Sequence, residues 1–462
     1  MLLVHPVHEL LRQLPLLIGA IVLGSTTGNP LWTVAALAVT ALLGVARWFT
    51  TSYRIEGDEI QLRAGLLQRK VLSVPRNRIR SVQTDARLLH RLLGLAVLRV
   101  STGREATRDG VFELDAVEVS QVPRLRAMLL AESPQPAEQA ASTPGVVLAR
   151  WHPSWLRYAP LSLSGLLTIA AAAGALYQTG FAAPLGQLGS DTVARFGVAA
   201  IAAAVLVVSV VLAVLRSLVT YGNLVLVRRA DFLHLRHGLL RVREQTYDMS
   251  RLRGGTLRQP LLVRALGGAR LDAVMTGVHG GGESSVLLPP CPAGTAQSVL
   301  TELVGDRAVV TGPLRGHGRR AALRRWTRTL GLPAAAGVAL LVATVLVGTP
   351  AWLWPAWVAV MAWCALLAAD RVRALGHRVD QHWLVARAGS LQRRRDCLAT
   401  AGIVGWTVRQ TPLQRRAGVA TLVAATAAGV KRYPLIDVPA ELAWSIAATA
   451  SPWVADSVWA IR

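Results

Sequence analysis

Arg63-Ala-Gly65-Leu-Leu-Gln-Arg-Lys70 returns as Arg236-His-Gly238-Leu-Leu-Arg-Val-Arg243 and again as Arg387-Ala-Gly389-Ser-Leu-Gln-Arg-Arg394. A second signature follows each copy: Arg91-Leu-Leu-Gly94-Leu-Ala-Val-Leu98, Arg264-Ala-Leu-Gly267-Gly-Ala-Arg-Leu271 and Arg415-Arg-Ala-Gly418-Val-Ala-Thr-Leu422. Gly65 to Gly94, Gly238 to Gly267 and Gly389 to Gly418 are all 29 residues. Three equal spacings without a gap identify a threefold repeat, and a repeat decides the fold. The signature glycines are expected at equivalent turns, where a positive φ costs least without a Cβ.

Outward from the signatures, each copy reads as strands followed by a helix. In the first copy, residues 53–55 and 59–63 alternate apolar and polar around the turn Glu56-Gly-Asp58. Residues 66–74 read as a further strand ended by Pro75, and 95–101 with 111–114 as a hairpin. Residues 117–131 then carry helical spacing. The second copy closes with a strand at 285–288 and a helix at 293–304, the third with a strand at 434–438 and a helix at 440–450. Pro292 and Pro439 suit the helix starts.

Composition places the rest of the chain in lipid. Of 462 residues 52% are hydrophobic and 16% charged, and the mean hydropathy is +0.41. An ordinary soluble domain carries about 25% charged residues, so a single soluble domain, a disordered tail and a coiled coil are excluded. Six apolar runs form three pairs: 10–25 with 31–46, 158–177 with 193–215, and 330–347 with 351–369. The first lacks the charge and cleavage site of a signal peptide. Arginines crowd the segments between pairs, and the net charge is +24. Lys/Arg excess marks the cytoplasmic side. Both termini and all three large segments are therefore expected in the cytoplasm. The runs hold almost no ionisable residue, which favours anchoring over transport.

At these residues the chain resembles the bacterial pleckstrin-homology-like (PH-like) membrane proteins of the YdbS/YdbT type. The resemblance rests on a helical pair followed by Tyr53-Arg-Ile-Glu-Gly-Asp58, the Arg-x-Gly-Leu turn, Val74-Pro-Arg-Asn-Arg-Ile79 and the Arg91 signature, with His5-Pro6 and Trp151-His152-Pro153 at the hairpin entries. It implies bent antiparallel sheets, each packed by a C-terminal helix. The expected fold class is thus a membrane α-helical protein, six transmembrane helices in three hairpins, plus three cytoplasmic α+β PH-like domains. The hairpins take 1–50, 151–217 and 326–373, and the PH-like domains 51–132, 218–305 and 374–452. Residues 133–150 and 306–325 read as linkers, the second basic, and 453–462 as a tail. The second and third copies depart from the pattern at Gly254-Gly255 and Thr400-Ala-Gly402. A PH-like fold does not fix a function.

Motifs for chemistry fail one by one. His279-Gly280-Gly281-Gly282 lacks a Gly-x-Ser-x-Gly partner and reads as a hairpin tip. Lys70 and Lys431, the two lysines, follow no phosphate-cradling glycine loop. His377 and His382, five apart, read as surface or interface histidines. Cys291, Cys364 and Cys397 are too scattered for a zinc site or a disulfide framework. No catalytic, metal or cofactor residue is expected, so the chain is read as no enzyme and as needing no cofactor.

Two basic groups remain. Arg319, Arg320, Arg324, Arg325 and Arg328 precede the fifth run and serve topology or anionic headgroups, at about 1 kcal/mol per charge near the surface. Arg69, Lys70, Arg76, Arg78 and Arg80 form a candidate edge for lipid or a protein partner, or simply a solvated positive face. No nucleic-acid-binding element accompanies them. The expected function is a membrane scaffold in the bacterial cytoplasmic (inner) membrane, presenting three PH-like domains to a protein partner, to another copy as a homo-oligomer, or to anionic lipid headgroups. Lipid handling or transport through the hairpins is the alternative.

Overall fold

The computed structural model describes residues 52–56, 59–64, 70–75, 81–86, 93–101, 112–122, 124–125, 145–162, single positions at 165, 167, 170, 171 and 174, and then 191–276 and 285–455. The chain divides into two units, residues 1–147 with 222–250, and 148–221 with 251–462. The runs at 10–25 and 31–46 lie outside the described residues, as does half of 158–177.

The first copy contributes β1 (Ser52–Glu56), β2 (Glu59–Ala64), β3 (Lys70–Pro75), β4 (Ser81–Ala86), β5 (Leu95–Ser101) and β6 (Phe112–Glu118). A strand β7 (Val146–Arg150) leads to the second copy: α1 (Asp191–Tyr221), β8 (Val225–Arg229), β9 (Phe232–His237), β10 (Val242–Asp248), β11 (Leu252–Pro260), α2 (Leu261–Ala265), β12 (Gly268–Met275), β13 (Val286–Pro292) and α3 (Ala293–Val304). A short helix α4 (Arg307–Thr311) precedes α5 (Gly318–Val347) and α6 (Leu353–Ala374). The third copy is β14 (Gly376–Val379), β15 (Trp383–Ala388), β16 (Gln392–Ala399), β17 (Ile403–Arg409), α7 (Pro412–Arg416), β18 (Val419–Thr426), β19 (Arg432–Pro439) and α8 (Ala440–Ala450).

The repeat is structural. Gly94, Gly267 and Gly418 have φ of 66°, 73° and 64°, the left-handed region that glycine enters without strain. Each carbonyl then receives the amide that opens the closing helical segment: Val119 to Gly94 (2.9 Å), Ala293 to Gly267 (2.9 Å) and Ala440 to Gly418 (3.1 Å). Leu95 faces Glu118, Gly268 faces Pro292 and Val419 faces Pro439, and a bulge follows at the same place in each hairpin. Gly238 and Gly389, with φ of 104° and 99°, also match; Gly65 lies outside the described residues.

Each copy is two three-stranded halves, and the halves pair across copies. In the first unit the strand order runs β6-β5-β4-β10-β9-β8. In the second unit it runs β13-β12-β11-β16-β15-β14. The fourth strand of one copy thus lies antiparallel to the third strand of the next. Ser81 faces Tyr247 in the first join and Gly254 faces Leu398 in the second. Moved by the offsets between the signature glycines, Ser81 falls on Gly254 and Tyr247 on Leu398, so the register is the same. The terminal halves, β1-β2-β3 and β17-β18-β19, form separate sheets.

In the third copy Leu384, Leu398, Leu422, Tyr433, Leu435 and Ile446 bury a core between both half-sheets and α8. A buried leucine contributes about 1.5–3 kcal/mol relative to exposure. Ala443, Ala447 and Ala450 give α8 a flat apolar face that sits close to the strands.

Among the described residues three helical segments are long and apolar enough to cross a membrane: Ala203–Tyr221 within α1, α5 and α6. α5 and α6 form a hairpin. Pro333 interrupts the α5 ladder, and its carbonyl accepts a hydrogen bond from Trp357 Nε1 at 2.9 Å. Gly337 lets the Trp357 indole approach so closely that a Cβ would lie 2.5 Å from it.

Several expectations are corrected. Tyr158 does not begin an apolar span. It ends a 3-10 turn, Pro153–Tyr158, is fully buried beside Gly268, and donates to the Leu266 carbonyl at 3.3 Å. Residues 117–118 are strand rather than helix, because Val117 pairs with Ala96 in the hairpin. The stretch 306–325, read as a linker, holds α4 and the first turns of α5, with Val309 and Val310 buried. β4 carries no sequence signal of a strand: Ser-Val-Gln-Thr-Asp-Ala is polar for a central strand, and one of its two partners, β10, comes from the next copy.

Candidate functional site: a basic cleft in the third copy

Pro313-Leu314-Arg315 runs beside the start of β14, with the Arg315 amide donating to the His377 carbonyl (2.7 Å) and the His377 amide to the Arg315 carbonyl (3.0 Å). Between this bridge and α8 lies a cleft of about 330 Å³. Arg315 and Arg378 line it opposite Leu442, Ser445 and Thr449. Arg315 is exposed and forms no ion pair with any described residue; Arg378 lies 3.6 Å from Asp380 in a partly exposed pair. The Ser445 and Thr449 hydroxyls donate to carbonyls one turn back, of Leu442 and Ser445, which leaves their lone pairs toward solvent.

The cleft floor is neutral. His377 is 3% exposed, its ring centroid 5.0 Å from that of His317, which corrects the surface reading of this histidine. Burial pushes His377 down to about 4, and the neighbouring His317 and Arg315 add to the effect. Burial also lowers His317, against the pull of the Ile436 carbonyl, 2.9 Å from its Nδ1. The positive charge at the mouth therefore comes from the two arginines, an arrangement suited to a carboxylate or phosphate.

Elsewhere, arginines expected at a lipid surface face carboxylates instead. Arg324 and Arg325, at the start of α5, both pair with Asp437 on β19, which is wholly buried. Gln414 Nε2 donates to the same carboxylate at 2.9 Å and to Thr421 at 2.8 Å. Asp437 holds φ at 57°, so the backbone turns to aim the side chain inward. Asp370, near the end of α6, pairs with Arg264 of the second copy (2.9 Å) and Arg393 of the third (2.5 Å). In the second join Thr256 lies between Asp272 and Asp396 in register and donates to Asp396 at 2.9 Å. Arg258 and Arg270 flank Asp272 at 2.6 and 2.8 Å. Burial raises the Asp396 carboxyl, partly offset by Arg394.

Of the candidate edge, Arg69, Arg76, Arg78 and Arg80 lie outside the described residues, while Lys70 opens β3 opposite Ala64. Its repeat equivalents, Arg243 and Arg394, sit 3.5 Å from Asp85 and 3.4 Å from Asp396. Arg393, the equivalent of Arg69, holds Asp370. These three later equivalents thus each meet a carboxylate of the chain itself. The 279–282 glycine run lies outside the described residues. Among the described residues no three His, Cys, Asp or Glu gather for a metal. Cys291 and Cys397 are buried free thiols, pushed up to about 12 by burial.

The threefold half-sheet arrangement agrees with a comparison of sequence families. The family described as bacterial PH domain matches residues 10–133, 166–303 and 329–447. The chain belongs to the bacterial PH domain family. This bacterial PH domain protein carries the family pattern three times, and each match spans a run of apolar sequence as well as the strands that follow. No curated protein and no solved structure matches it.

Proposed function

We propose that this protein is a non-enzymatic scaffold of the YdbS/YdbT type, embedded in the bacterial cytoplasmic membrane by six helices with both termini inside. Its three PH-like units face the inner leaflet and engage an acidic protein segment or anionic headgroups. The observation that carries this reading is the pairing of Asp437 with Arg324 and Arg325, and of Asp370 with Arg264 and Arg393. Both clasps tie a strand-built unit to the ends of apolar helices, so the domain has a fixed height beside a membrane. Held there, a weak site such as the Arg315–Arg378 cleft works at high effective concentration.

The test is crosslinking in native membranes followed by mass spectrometry, on the full chain and on Arg315→Glu with Arg378→Glu. A crosslinked acidic segment that disappears on charge reversal supports the reading. An unchanged crosslink pattern discards the cleft. Charge reversal at Arg76 and Arg78 serves the first copy in the same way, with loss of salt-sensitive binding to anionic vesicles as the expected result.

A further inference from the structure

The chain joins its copies twice by one rule and leaves the two ends of that rule open. Strand four of a copy pairs with strand three of the next, as β4 with β10 and β11 with β16, in one register. The first copy's strand three, β3, and the last copy's strand four, β17, each stand at the edge of a three-stranded sheet, unpaired on that side among the described residues. An open edge presents a row of backbone donors and acceptors ready to pair. On β17 Val404 is 69% exposed, and Thr407 and Arg409 are exposed.

We propose that β17 of one chain pairs antiparallel with β3 of a second copy, making a third join of the same kind. Carrying the internal register forward sets Gly405 opposite Val74, Trp406 opposite Ser73, Thr407 opposite Leu72, Val408 opposite Val71 and Arg409 opposite Lys70. Gly405 is the repeat equivalent of Gly254 and Ser81, and Val74 that of Leu398 and Tyr247. The like-charged pair Arg409 and Lys70 occupies the place where Arg258 faces Arg394 in the second join. The two edges are different surfaces, so the contact is heterologous and builds rings or open rows of chains in a membrane. Residue composition alone would not choose a partner for β17; two internal joins in a fixed register do.

The experiment uses full-length chains in native membranes. One chain carries Thr407→Cys and one tag, and the other carries Leu72→Cys and a second tag. Mild oxidation is expected to give a species of doubled mass bearing both tags. Leu62→Cys is the control, since Leu62 faces Leu72 on the next strand inward. That places it roughly 10 Å from Thr407, past the disulfide limit of about 7 Å between Cα atoms. The in-register pair should crosslink on the order of tenfold more than this control. Val408→Cys with Val71→Cys, the next pair in register, is the second variant. The proposal is overturned if neither pair yields the doubled species, or if the control matches it. It is equally overturned if a chain carrying both cysteines closes only on itself when mixed with wild type.

Discussion

Arg324 reaches the fully buried carboxylate of Asp437 from the first turns of α5. Arg325, 2.7 Å from the other oxygen, and Gln414 complete the network. A carboxylate without water contact persists only when paired, and removing one partner strands the others.

Asp437→Ala is expected to destabilise the detergent-solubilised protein by about 3–5 kcal/mol. Ala also lacks the tolerance of Asp for a φ of 57°. Arg319→Ala, at an exposed position on α5 five residues before Arg324, should change stability by less than about 0.5 kcal/mol. Denaturant midpoints of the two variants, followed by near-UV dichroism, check the contrast. Equal midpoints would show that the network contributes nothing.

Stability should fall as the pH drops from about 6.5 toward 4. His377 is held neutral when folded, at about 4, while the unfolded chain takes up its proton near 6.5. In that window the unfolded state binds more protons, so its population rises with acidity. The full effect is about 2–4 kcal/mol. His377→Gln removes the titration and should flatten the slope of melting temperature against pH. A wild-type slope in that variant would locate the acid sensitivity elsewhere.

Gly337→Val should pry α6 from α5. The added carbons meet the Trp357 indole, whose Nε1 is fixed on the Pro333 carbonyl. Overpacking of this kind costs about 1–3 kcal/mol. The Trp357 emission maximum and the yield of a disulfide engineered across the hairpin both report separation; Gly331→Val, where no neighbour lies within 4 Å, is the control.

A fragment cut at one copy, such as 374–452, should aggregate. Cutting there removes β11 and bares the edge of β16, whose partner residues run from Gly254 to Pro260. A fragment spanning 251–455 retains that join and should remain monodisperse in detergent. Size-exclusion profiles of the two fragments decide the matter.

For topology, a cysteine at Gly186 should react with an impermeant maleimide added to intact cells, and one at Gly103 should not. The opposite labelling pattern would reverse the proposed orientation.

Much of the fold is legible in the residues because its signals are local. Strand β5 and helices α3 and α8 follow from alternation, helical spacing and proline at the helix start. The cleft was not legible, since Arg315 and Arg378 are 63 residues apart and meet only because His377 bridges to Arg315. His377 itself carries no sequence mark of burial beside His317. The arginines before the fifth run do carry a charge signal, but charge count does not say which of them turns toward Asp437.

The repeat period, the positive-φ glycines and the order of strands within each half were determined by the sequence itself. They depend on backbone sterics and side-chain alternation over a few residues, which neighbours in the chain settle. Which half pairs with which was decided by tertiary structure alone. β4 meets β10 and β11 meets β16 across long stretches of chain, and edge hydrogen bonds carry no sequence address. The choice lies in the packing of whole half-sheets and in carboxylates such as Asp85 and Asp437, which come to their arginines only when those sheets are in place.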